Sequence, residues 1–305
     1  MWRFEQPLSN QTLAAARQHN VQTALQEDIG TGDLTAQLVP NHTTTAQLWI
    51  RESAVLCGRA WFEDCFLALD QSVQFNWHYA EGAKTTANTL VCTLTGTAHA
   101  LLTGERAALN FLQTLSATAT QVRQYVDALA QANLLHCAIL DTRKTIPGLR
   151  LAQKYAITVG GGHNQRLALW DGILIKENHI AATGSIQAAL SQAFLMAKTV
   201  LQQEQRDISI QIEVETLDQL KQALKAGAPS ILLDNFSIEL MKQAVEIKQA
   251  FVQTHTNTSA TLLEASGGIS FDDFLAVAAT GVDRISIGRL TKDIKAIDFS
   301  LRLNS

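Results

Sequence analysis

Residues 136–176 read HCAILDTRKTIPGLRLAQKYAITVGGGHNQRLALWDGILIK, and they combine buried-strand patterns with a high density of positive charge. Two short apolar runs, CAIL at 137–140 and GILI at 172–175, are typical of strands in a parallel sheet. Residues 141–180 contain six Lys and Arg residues but only three Asp and Glu residues, although the whole chain has a net charge of −4. Cations beside buried strands are costly unless they are paired or an anionic ligand binds there. The stretch therefore predicts a pocket for a ligand with several negative charges.

The composition predicts a globular protein with a full hydrophobic core, since 47% of the 305 residues are hydrophobic and 17% are charged. The chain has no Lys/Arg run or basic tail, so nucleic acid is not an expected partner. We expect no membrane span, because no apolar run approaches ~18 residues, and the start of the chain lacks an apolar signal core. The four cysteines form no C-x-x-C pair, which favours free, buried thiols and a cytoplasmic location.

The residue pattern changes near residue 115. Before it, runs rich in β-branched and aromatic residues, with helices predicted near 10–26 and 60–70, indicate a small α+β domain. A long helical pattern begins near 103–105, and from residue 136 short apolar strands alternate with helices. This alternation predicts a parallel sheet with right-handed crossovers. The predicted strands are 136–141, 162–165, 172–176, 209–215, 230–234, 261–265 and 283–288.

Seven strands in about 175 residues are too few for an eight-fold (β/α) barrel, which usually takes ~250 residues. We therefore predict an α/β fold in which an N-terminal α+β domain precedes an incomplete, seven-stranded α/β barrel. The predicted boundaries are 1–114 for the N-terminal domain and 115–292 for the catalytic barrel.

Ionisable residues cluster at the C-terminal ends of the predicted strands, where barrels carry their active sites. Arginine forks bind carboxylate or phosphate in a bidentate manner, and separated carboxylates facing a phosphorylated ligand suit Mg²⁺. The alternative is that the cations and acids pair with each other, and both can hold in an empty pocket. The cations are Arg143, Lys144, Arg166 and Lys176; the acids are Glu213, Glu215, Asp234 and Glu264.

Glycines follow the last two predicted strands, in Ser266-Gly267-Gly268 and Ile287-Gly288. Loops in this position of a barrel often present backbone N–H groups to a phosphate. Arg106 is predicted in the first turn of the long helix, where a cation opposes the helix dipole. Either it pairs locally with Glu105 or Asp127, or it reaches into a pocket, across a subunit boundary.

Nine motifs, in order along nearly the whole chain, resemble quinolinate phosphoribosyltransferase, the decarboxylating nicotinate-nucleotide pyrophosphorylase. Those in the N-terminal part are ALQEDIGTGDLT (24–35) and LTGERAALNF (102–111). Those in the barrel part are DTRKTIPGLR (141–150), GGGHNQR (160–166), IKENH (175–179), EVE (213–215), LLDNF (232–236), EASGGIS (264–270) and IGRLT (287–291).

The resemblance implies that quinolinate and phosphoribosyl pyrophosphate give nicotinate mononucleotide, pyrophosphate and CO₂, with Mg²⁺, in de novo NAD biosynthesis. It also implies an N-terminal α/β domain to which 293–305 returns, a seven-stranded barrel, and a homodimer, with higher assembly left open. Three groups of residues match the family pattern. The quinolinate group is Arg143, Arg166, Lys176 and, from the neighbouring subunit, Arg106. The ribose, pyrophosphate and metal group is Lys144, Glu213 and Asp234, with the two acids binding Mg²⁺ directly or through water. The 5′-phosphate group is Ser266, Gly267 and Gly288.

Two positions depart from the family pattern. Gln165 stands where the family commonly has histidine, and glutamine can donate a hydrogen bond to a carboxylate but cannot carry charge. Lys292 stands where some relatives have histidine. No catalytic role is carried over to either position.

Three other functions remain open at this stage. Lys176 at a strand end could form a Schiff base in an aldolase-like barrel. A non-catalytic protein of this fold could bind an anionic metabolite or a partner protein, although it would have less need of Glu213 and Asp234. A nicotinate phosphoribosyltransferase would need fewer cations than the chain provides.

Overall fold

The computed structural model describes residues 9–254 and 261–304; the expectation for the start of the chain, residues 1–8, lies outside this part. The helices are α1 (Asn10–Ile29), α2 (Arg59–Leu67), α3 (Ala98–Gln131), α4 (Arg150–Val159), α5 (Glu177–Thr183), α6 (Ile186–Glu204), α7 (Leu217–Lys225), α8 (Ile238–Thr254), α9 (Phe274–Ala278) and α10 (Arg289–Lys292). The strands are β1 (Thr43–Ile50), β2 (Ala54–Val55), β3 (Gln74–Trp77), β4 (Lys84–Thr85), β5 (Thr89–Thr97), β6 (Ala138–Leu140), β7 (Gly172–Ile175), β8 (Ser209–Val214), β9 (Ser230–Asp234), β10 (Leu262–Ser266), β11 (Arg284–Ser286) and β12 (Phe299–Leu303).

The chain divides into two compact units. We call residues 9–124, 144–162 and 289–304 the N-terminal unit, and residues 125–143, 163–254 and 261–288 the parallel-sheet unit. The protein is therefore an α/β protein with an α+β unit and a parallel-sheet α/β unit. The boundaries 1–114 and 115–292 remain a prediction.

The N-terminal unit contains an antiparallel sheet with the order β12-β1-β5-β3. Alternate residues of β1 are buried, with Ala46, Leu48 and Ile50 at 0% exposure, as expected for a strand with one face on a core. Strand β12 pairs with β1 from Ala46↔Leu303 to Ile50↔Phe299, so this late segment of the chain completes the first sheet. The predicted helices near 10–26 and 60–70 are confirmed as α1 and α2.

Helix α3 begins earlier than the predicted start near 103–105, at Ala98, immediately after β5. Its buried face already includes Ala98 and Leu101, which the later apolar repeat had not indicated. Arg106 therefore lies roughly two turns inside the helix rather than in its first turn. The expected conflict between Arg106 and the helix dipole is wrong, because that effect falls off within the first turn.

The sequence predicts a helix after residue 149 on which Arg150 and Lys154 are ordinary surface charges, and helix α4 contradicts this prediction for Lys154. Arg150 is half-buried, but Lys154 has no exposed surface. Its neighbours Ala152, Gln153 and Ala156 have none either, so the helix is enclosed around this turn. The helical pattern of α4 did not indicate this burial, because lysine usually keeps its ammonium group in water.

The parallel-sheet unit contains six parallel strands in the order β6-β11-β10-β9-β8-β7. Its central strand β9 is buried over Ser230–Leu233, as expected when helices cover both faces of a sheet. In parallel strands, residues in register point to the same side, so one face carries Glu213, Leu232, Glu264 and Arg284 at one level.

The predicted strand at 162–165 appears only as a single bridge between Leu140 and His163. His163 N–H donates to Ile139 O and Asp141 N–H donates to His163 O, but the next donor in the ladder, Gln165 N–H, binds the Asp141 carboxylate at 2.7 Å. A side chain thus replaces the backbone acceptor and ends the strand pairing. The other six predicted strands are confirmed, and closure of the sheet into a barrel remains a prediction.

Cys57, Cys65, Cys92 and Cys137 are free and buried, which confirms the prediction made for the four thiols. Burial raises the pKa of Cys65 to about 12. Within residues 9–254 and 261–304, no single helix is both long and apolar enough to cross a membrane; α5 and α6 pass only as a pair bent by 96°.

Candidate active site

Polar side chains follow successive strands of the parallel-sheet unit at their carboxyl ends. Because the strands are parallel, these ends meet at one edge of the sheet. The candidate residues at this edge are Arg143 after β6, Lys176 after β7, Glu213 in β8, Asp234 in β9, Ser266 and Gly267 at the end of β10, and Gly288 after β11. Arg166 lies before β7 and donates to the first carbonyl of that strand, Gly172 O, at 3.0 Å.

Lys176 and Glu213 form an ion pair, with Lys176 Nζ donating to Glu213 Oε2 at 2.7 Å. The Glu213 side chain is 10% exposed, whereas that of Lys176 is 43% exposed. A pair with such unequal exposure can exchange partners when an anion approaches the lysine from solvent. This contact is the mutual pairing of cations and acids that the sequence analysis allows for an empty pocket.

Arg143 and Arg166 are two cations of the parallel-sheet unit, and the charge of the first acts on the second. Burial and the neighbouring charge of Arg143 lower the pKa of Arg166, while Asp171 acts in the opposite direction. Asp171 also accepts the Leu167 N–H at 2.6 Å, which fixes the backbone beside Arg166. Two guanidinium groups in a half-buried position repel each other, and an anionic ligand would offset that repulsion.

The loop after β10 has a backbone that only glycine fits. Gly267 has a φ of +107°, and a Cβ added there would collide with the Asn235 side chain and backbone. Asn235 N–H donates to Ser266 O at 3.0 Å, and its Nδ2 donates to Asp234 Oδ2 at 3.0 Å. The ends of β9 and β10 are therefore tied together, and the absent Cβ at Gly267 leaves room for Asn235.

Two predicted site residues, Lys144 and Arg106, belong to the N-terminal unit. The backbone of Lys144 is held by Thr291, whose Oγ1 donates to Lys144 O at 2.7 Å, and its side chain is exposed. Arg106 is exposed on α3.

Glu213 and Asp234 fit a hydrated magnesium ion better than an all-protein metal cage. Among the described residues, no group of three or more His, Cys, Asp or Glu side chains could hold a metal ion. Mg²⁺ usually keeps several waters and uses one or two carboxylates together with substrate phosphates. Glu213 is in register with Leu232, so Asp234 lies two residues further along the adjacent strand and on the same face.

A buried amide–carboxylate network lies beside these residues and was missed in part by the sequence analysis. Gln211 is 2% exposed and Glu264 is 0% exposed; Gln211 Nε2 donates to Glu264 Oε2 at 2.9 Å. Gln165 reaches the same two residues. Polar residues alternate with apolar ones at positions 209, 211 and 213 of β8, and this alternation was the signal that could have identified Gln211.

Two of the histidines near these motifs have local backbone partners. His179 Nδ1 accepts the Lys176 N–H at 3.0 Å at the start of α5, and His99 Nε2 lies 2.8 Å from Val39 O. These contacts are typical of histidines that cap a helix or pack against the backbone.

Comparison with known families gives matches over most of the chain. The family described as "Quinolinate phosphoribosyl transferase, N-terminal domain" matches residues 33–116, and the corresponding C-terminal domain matches residues 118–302.

Individual relatives agree with these matches. A Bacillus subtilis protein named "Probable nicotinate-nucleotide pyrophosphorylase [carboxylating]" is 39% identical over 276 residues, 90% of this chain and 89% of its own length. "Quinolinate phosphoribosyltransferase [decarboxylating] 1b" of Nicotiana tabacum is 32% identical over 93% of this chain and 81% of its own length.

Solved structures of nicotinate-nucleotide pyrophosphorylases agree with these family matches. The nicotinate-nucleotide pyrophosphorylase from Francisella tularensis superposes with a TM-score of 0.86 at 41% identity, covering 95% of this chain and 96% of its own. The corresponding protein from Ehrlichia chaffeensis has a TM-score of 0.79 at 34% identity, covering 94% and 98%. This chain therefore belongs to the quinolinate phosphoribosyltransferase family.

Proposed function

We propose that Arg143, Arg166 and Lys176 bind quinolinate in the reaction of this family. The reaction transfers the phosphoribosyl group of phosphoribosyl pyrophosphate to quinolinate, with decarboxylation, and gives nicotinate mononucleotide, pyrophosphate and CO₂. The observation that carries the substrate assignment is the positive charge of Arg143, which together with burial lowers the pKa of the half-buried Arg166. A dianion placed between them replaces repulsion by two charge-assisted contacts.

The ion pair of Lys176 with Glu213 gives substrate binding a second effect. A quinolinate carboxylate near Lys176 competes with Glu213 for the ammonium group, and Glu213 is then released at the end of β8. A released carboxylate can offset the positive charge that develops on the ribose as pyrophosphate leaves. Quinolinate binding would thus free the Glu213 carboxylate for the step in which pyrophosphate leaves.

Phosphoribosyl pyrophosphate would lie along the ends of β9, β10 and β11. The backbone at Ser266, Gly267 and Gly288 suits the 5′-phosphate, and Lys144 and Asp234 suit the ribose and pyrophosphate. The positive φ at Gly267 and the open space beside Gly268 support this placement, because phosphate needs a close approach to backbone N–H groups. Mg²⁺ bound with Glu213 and Asp234, directly or through water, would neutralise charge on the pyrophosphate leaving group.

The chemistry after binding needs little acid–base assistance from the protein. The ring nitrogen of quinolinate forms a bond to C1 of the ribose while the bond from C1 to pyrophosphate breaks. The nitrogen becomes a pyridinium, which stabilises the electron pair left on the adjacent ring carbon when its carboxylate departs as CO₂. That carbon then takes a proton. Orientation of the dianion by Arg143 and Arg166 is the main contribution of the chain to this step.

The rival functions fit these contacts less well. A Schiff-base lysine must present a neutral amine, whereas Lys176 donates to a carboxylate in an ion pair. A nicotinate-specific enzyme would have to place two guanidinium groups around one carboxylate.

The quaternary structure and location are also proposals. We expect a homodimer in the cytoplasm, in which Arg106 of one subunit reaches quinolinate bound to the other. The exposure of Arg106 on α3 supports this role, because an exposed side chain is accessible to a second subunit.

Release of CO₂ from carboxyl-labelled quinolinate, in the presence of phosphoribosyl pyrophosphate and Mg²⁺, tests the activity. We expect release with quinolinate, loss of release when Mg²⁺ is chelated, and no nucleotide formation with nicotinate. Equal turnover of nicotinate would contradict the dicarboxylate assignment.

A further inference from the structure

Gln165, which replaces the histidine common in the family pattern, uses all of its amide hydrogens inside the protein. Its Nε2 donates to Gln211 Oε1 at 2.7 Å and to Glu264 Oε1 at 3.2 Å. A glutamine side chain has two amide hydrogens, so no further donor remains for a ligand. Its Oε1 accepts the backbone N–H of Arg166 at 2.7 Å.

The partners of Gln165 are rigidly held. Gln211 Nε2 also donates to Ser230 Oγ at 3.1 Å, so both of its amide hydrogens are used as well. Gln211 is 2% exposed, and Glu264 and Ser230 have no exposed surface. Buried networks in which every donor has a partner fix one arrangement, because any other leaves a polar group unsatisfied.

Two contacts carry this rigidity to the segment before β7. Gln165 N–H donates to the buried Asp141 carboxylate, and Gln165 Oε1 holds the next peptide, that of Arg166. The Arg166 guanidinium group then donates to Gly172 O. Both ends of Arg166, its peptide and its side chain, are thus fixed before a ligand binds.

We propose that Gln165 is a positioning residue, which through Gln211 and Glu264 fixes the peptide of Arg166 and so aims its guanidinium group at a carboxylate of the substrate. This inference rests on the proposed function, because it takes quinolinate as the ligand of Arg166. Gln165 does not itself bind the dianion, since its hydrogens are directed at Gln211 and Glu264. The position thus serves the site through geometry and not through charge.

The test exchanges the amide group of residue 165 and the carboxylate group of residue 264. Gln165→Glu removes two donors and sets a carboxylate against Glu264 Oε1 and Gln211 Oε1. In the double variant Gln165→Glu/Glu264→Gln, the new amide at position 264 can donate to the new carboxylate at position 165. Gln211 can turn over and donate through Nε2 to the same carboxylate, and Ser230 can then donate to Gln211 Oε1. The carboxylate has moved to position 165, where it has donors on both sides.

The expected result concerns the quinolinate KM, with the KM for phosphoribosyl pyrophosphate and kcat as internal references. Gln165→Glu should raise the quinolinate KM at least about tenfold at pH 8, with kcat within about threefold of wild type. Lowering the pH should reduce the ratio of the variant's quinolinate KM to that of wild type, because a proton shared by two adjacent carboxylates restores a donor. The double variant should return the KM to within about threefold of wild type.

Gln211→Glu is the matched control. It adds a carboxylate to the same network beside Glu264 and keeps an acceptor for Gln165 Nε2, but residue 211 does not contact Arg166. It should lower the unfolding midpoint in urea about as much as Gln165→Glu does, without the tenfold change in quinolinate KM.

The double variant decides between positioning and direct contact. If residue 165 touched quinolinate, a glutamate there would repel the dianion in both variants and the KM would stay raised. The inference is overturned if the quinolinate KM stays raised in the double variant or if the double variant fails to fold. This holds also when Gln165→Glu alone is unfolded. Absence of CO₂ release by the wild-type chain would instead overturn the proposed function, so the two failures are distinguishable.

Discussion

At the scale of single residues, the candidate site contains two mutually repelling arginines and one lysine–glutamate ion pair. Arg143 lowers the pKa of Arg166, and Lys176 engages Glu213. The unliganded site is thus held by interactions that a dianion can replace one by one. Site specificity should follow from the positions of these cations, since neutral neighbours such as Gln165 only hold them in place.

Replacing Arg166 by alanine tests the quinolinate assignment. We expect a quinolinate KM about 100-fold higher, because loss of charge-assisted contacts to a carboxylate costs about 3 kcal/mol. Steady-state kinetics with each substrate varied in turn measures this change. Arg206→Ala is the control, since Arg206 pairs with Glu204 and covers the Trp170 ring elsewhere in the same unit. An unchanged KM in folded Arg166→Ala would contradict the assignment.

Gly267 provides a second residue-scale prediction. Gly267→Ala should lower the free energy of unfolding by about 1–3 kcal/mol and raise the KM for phosphoribosyl pyrophosphate, because the new Cβ meets Asn235 at a positive φ. Gly268→Ala is the matched control, with φ +59° and nothing within 4 Å of its Cβ, and should cost about 1–2 kcal/mol. Urea unfolding together with kinetics separates the two effects. Equal KM values in the two variants would argue against a phosphate at Gly267.

At the scale of elements, strand pairing follows the apolar pattern closely where backbone groups bind backbone groups. The run SILLD gave β9 correctly, since a short apolar segment between polar turns has few alternatives. Segment 162–165 did not, because the Asp141 carboxylate takes the N–H of Gln165. Sequence patterns do not reveal which side chain will replace a ladder partner. Sequence patterns also do not reveal which polar side chains tertiary contacts will enclose. The burial of Lys154 and the Gln165–Gln211–Glu264 network could therefore not be predicted.

Strand β12 yields an element-scale prediction. Phe299 is 4% exposed in the core of the N-terminal unit, so Phe299→Ala should lower its free energy of unfolding by about 3–5 kcal/mol. Leu303 on the same strand is 37% exposed, and Leu303→Ala should cost less than about 1 kcal/mol. Denaturant unfolding followed by tryptophan fluorescence measures both. Similar costs for the two variants would mean that β12 contributes its backbone alone.

At the scale of the whole molecule, the proposed sharing of Arg106 predicts complementation between defective subunits. Arg106→Ala and Lys144→Ala should each be nearly inactive. In mixed dimers, one of the two sites has both residues, so a random one-to-one mixture should regain about a quarter of wild-type activity. Co-expression with two affinity tags isolates the mixed dimers for assay. Verified mixed dimers without activity would show that each subunit uses its own Arg106.

Family membership could be predicted at this scale because the motifs are dense and in order, from residue 24 to residue 291. The composition of the N-terminal unit could not, since segment 144–162 joins it through tertiary contacts such as those of Gln153 with Thr291 and of Gly148 with Asn20. Local patterns carry no information about such long-range partners.

The pairing of β12 with β1 has a consequence for synthesis on the ribosome. Translation produces β1 early, but its partner from Phe299 to Leu303 is made after the entire parallel-sheet unit. Until then one edge of β1 has open backbone donors and acceptors, and such edges can recruit strands from other nascent chains. Synthesis of Phe299–Leu303, and not emergence of the first domain, should therefore set the moment at which the N-terminal sheet becomes protected. Chaperone capture of stalled chains would be most frequent in that interval.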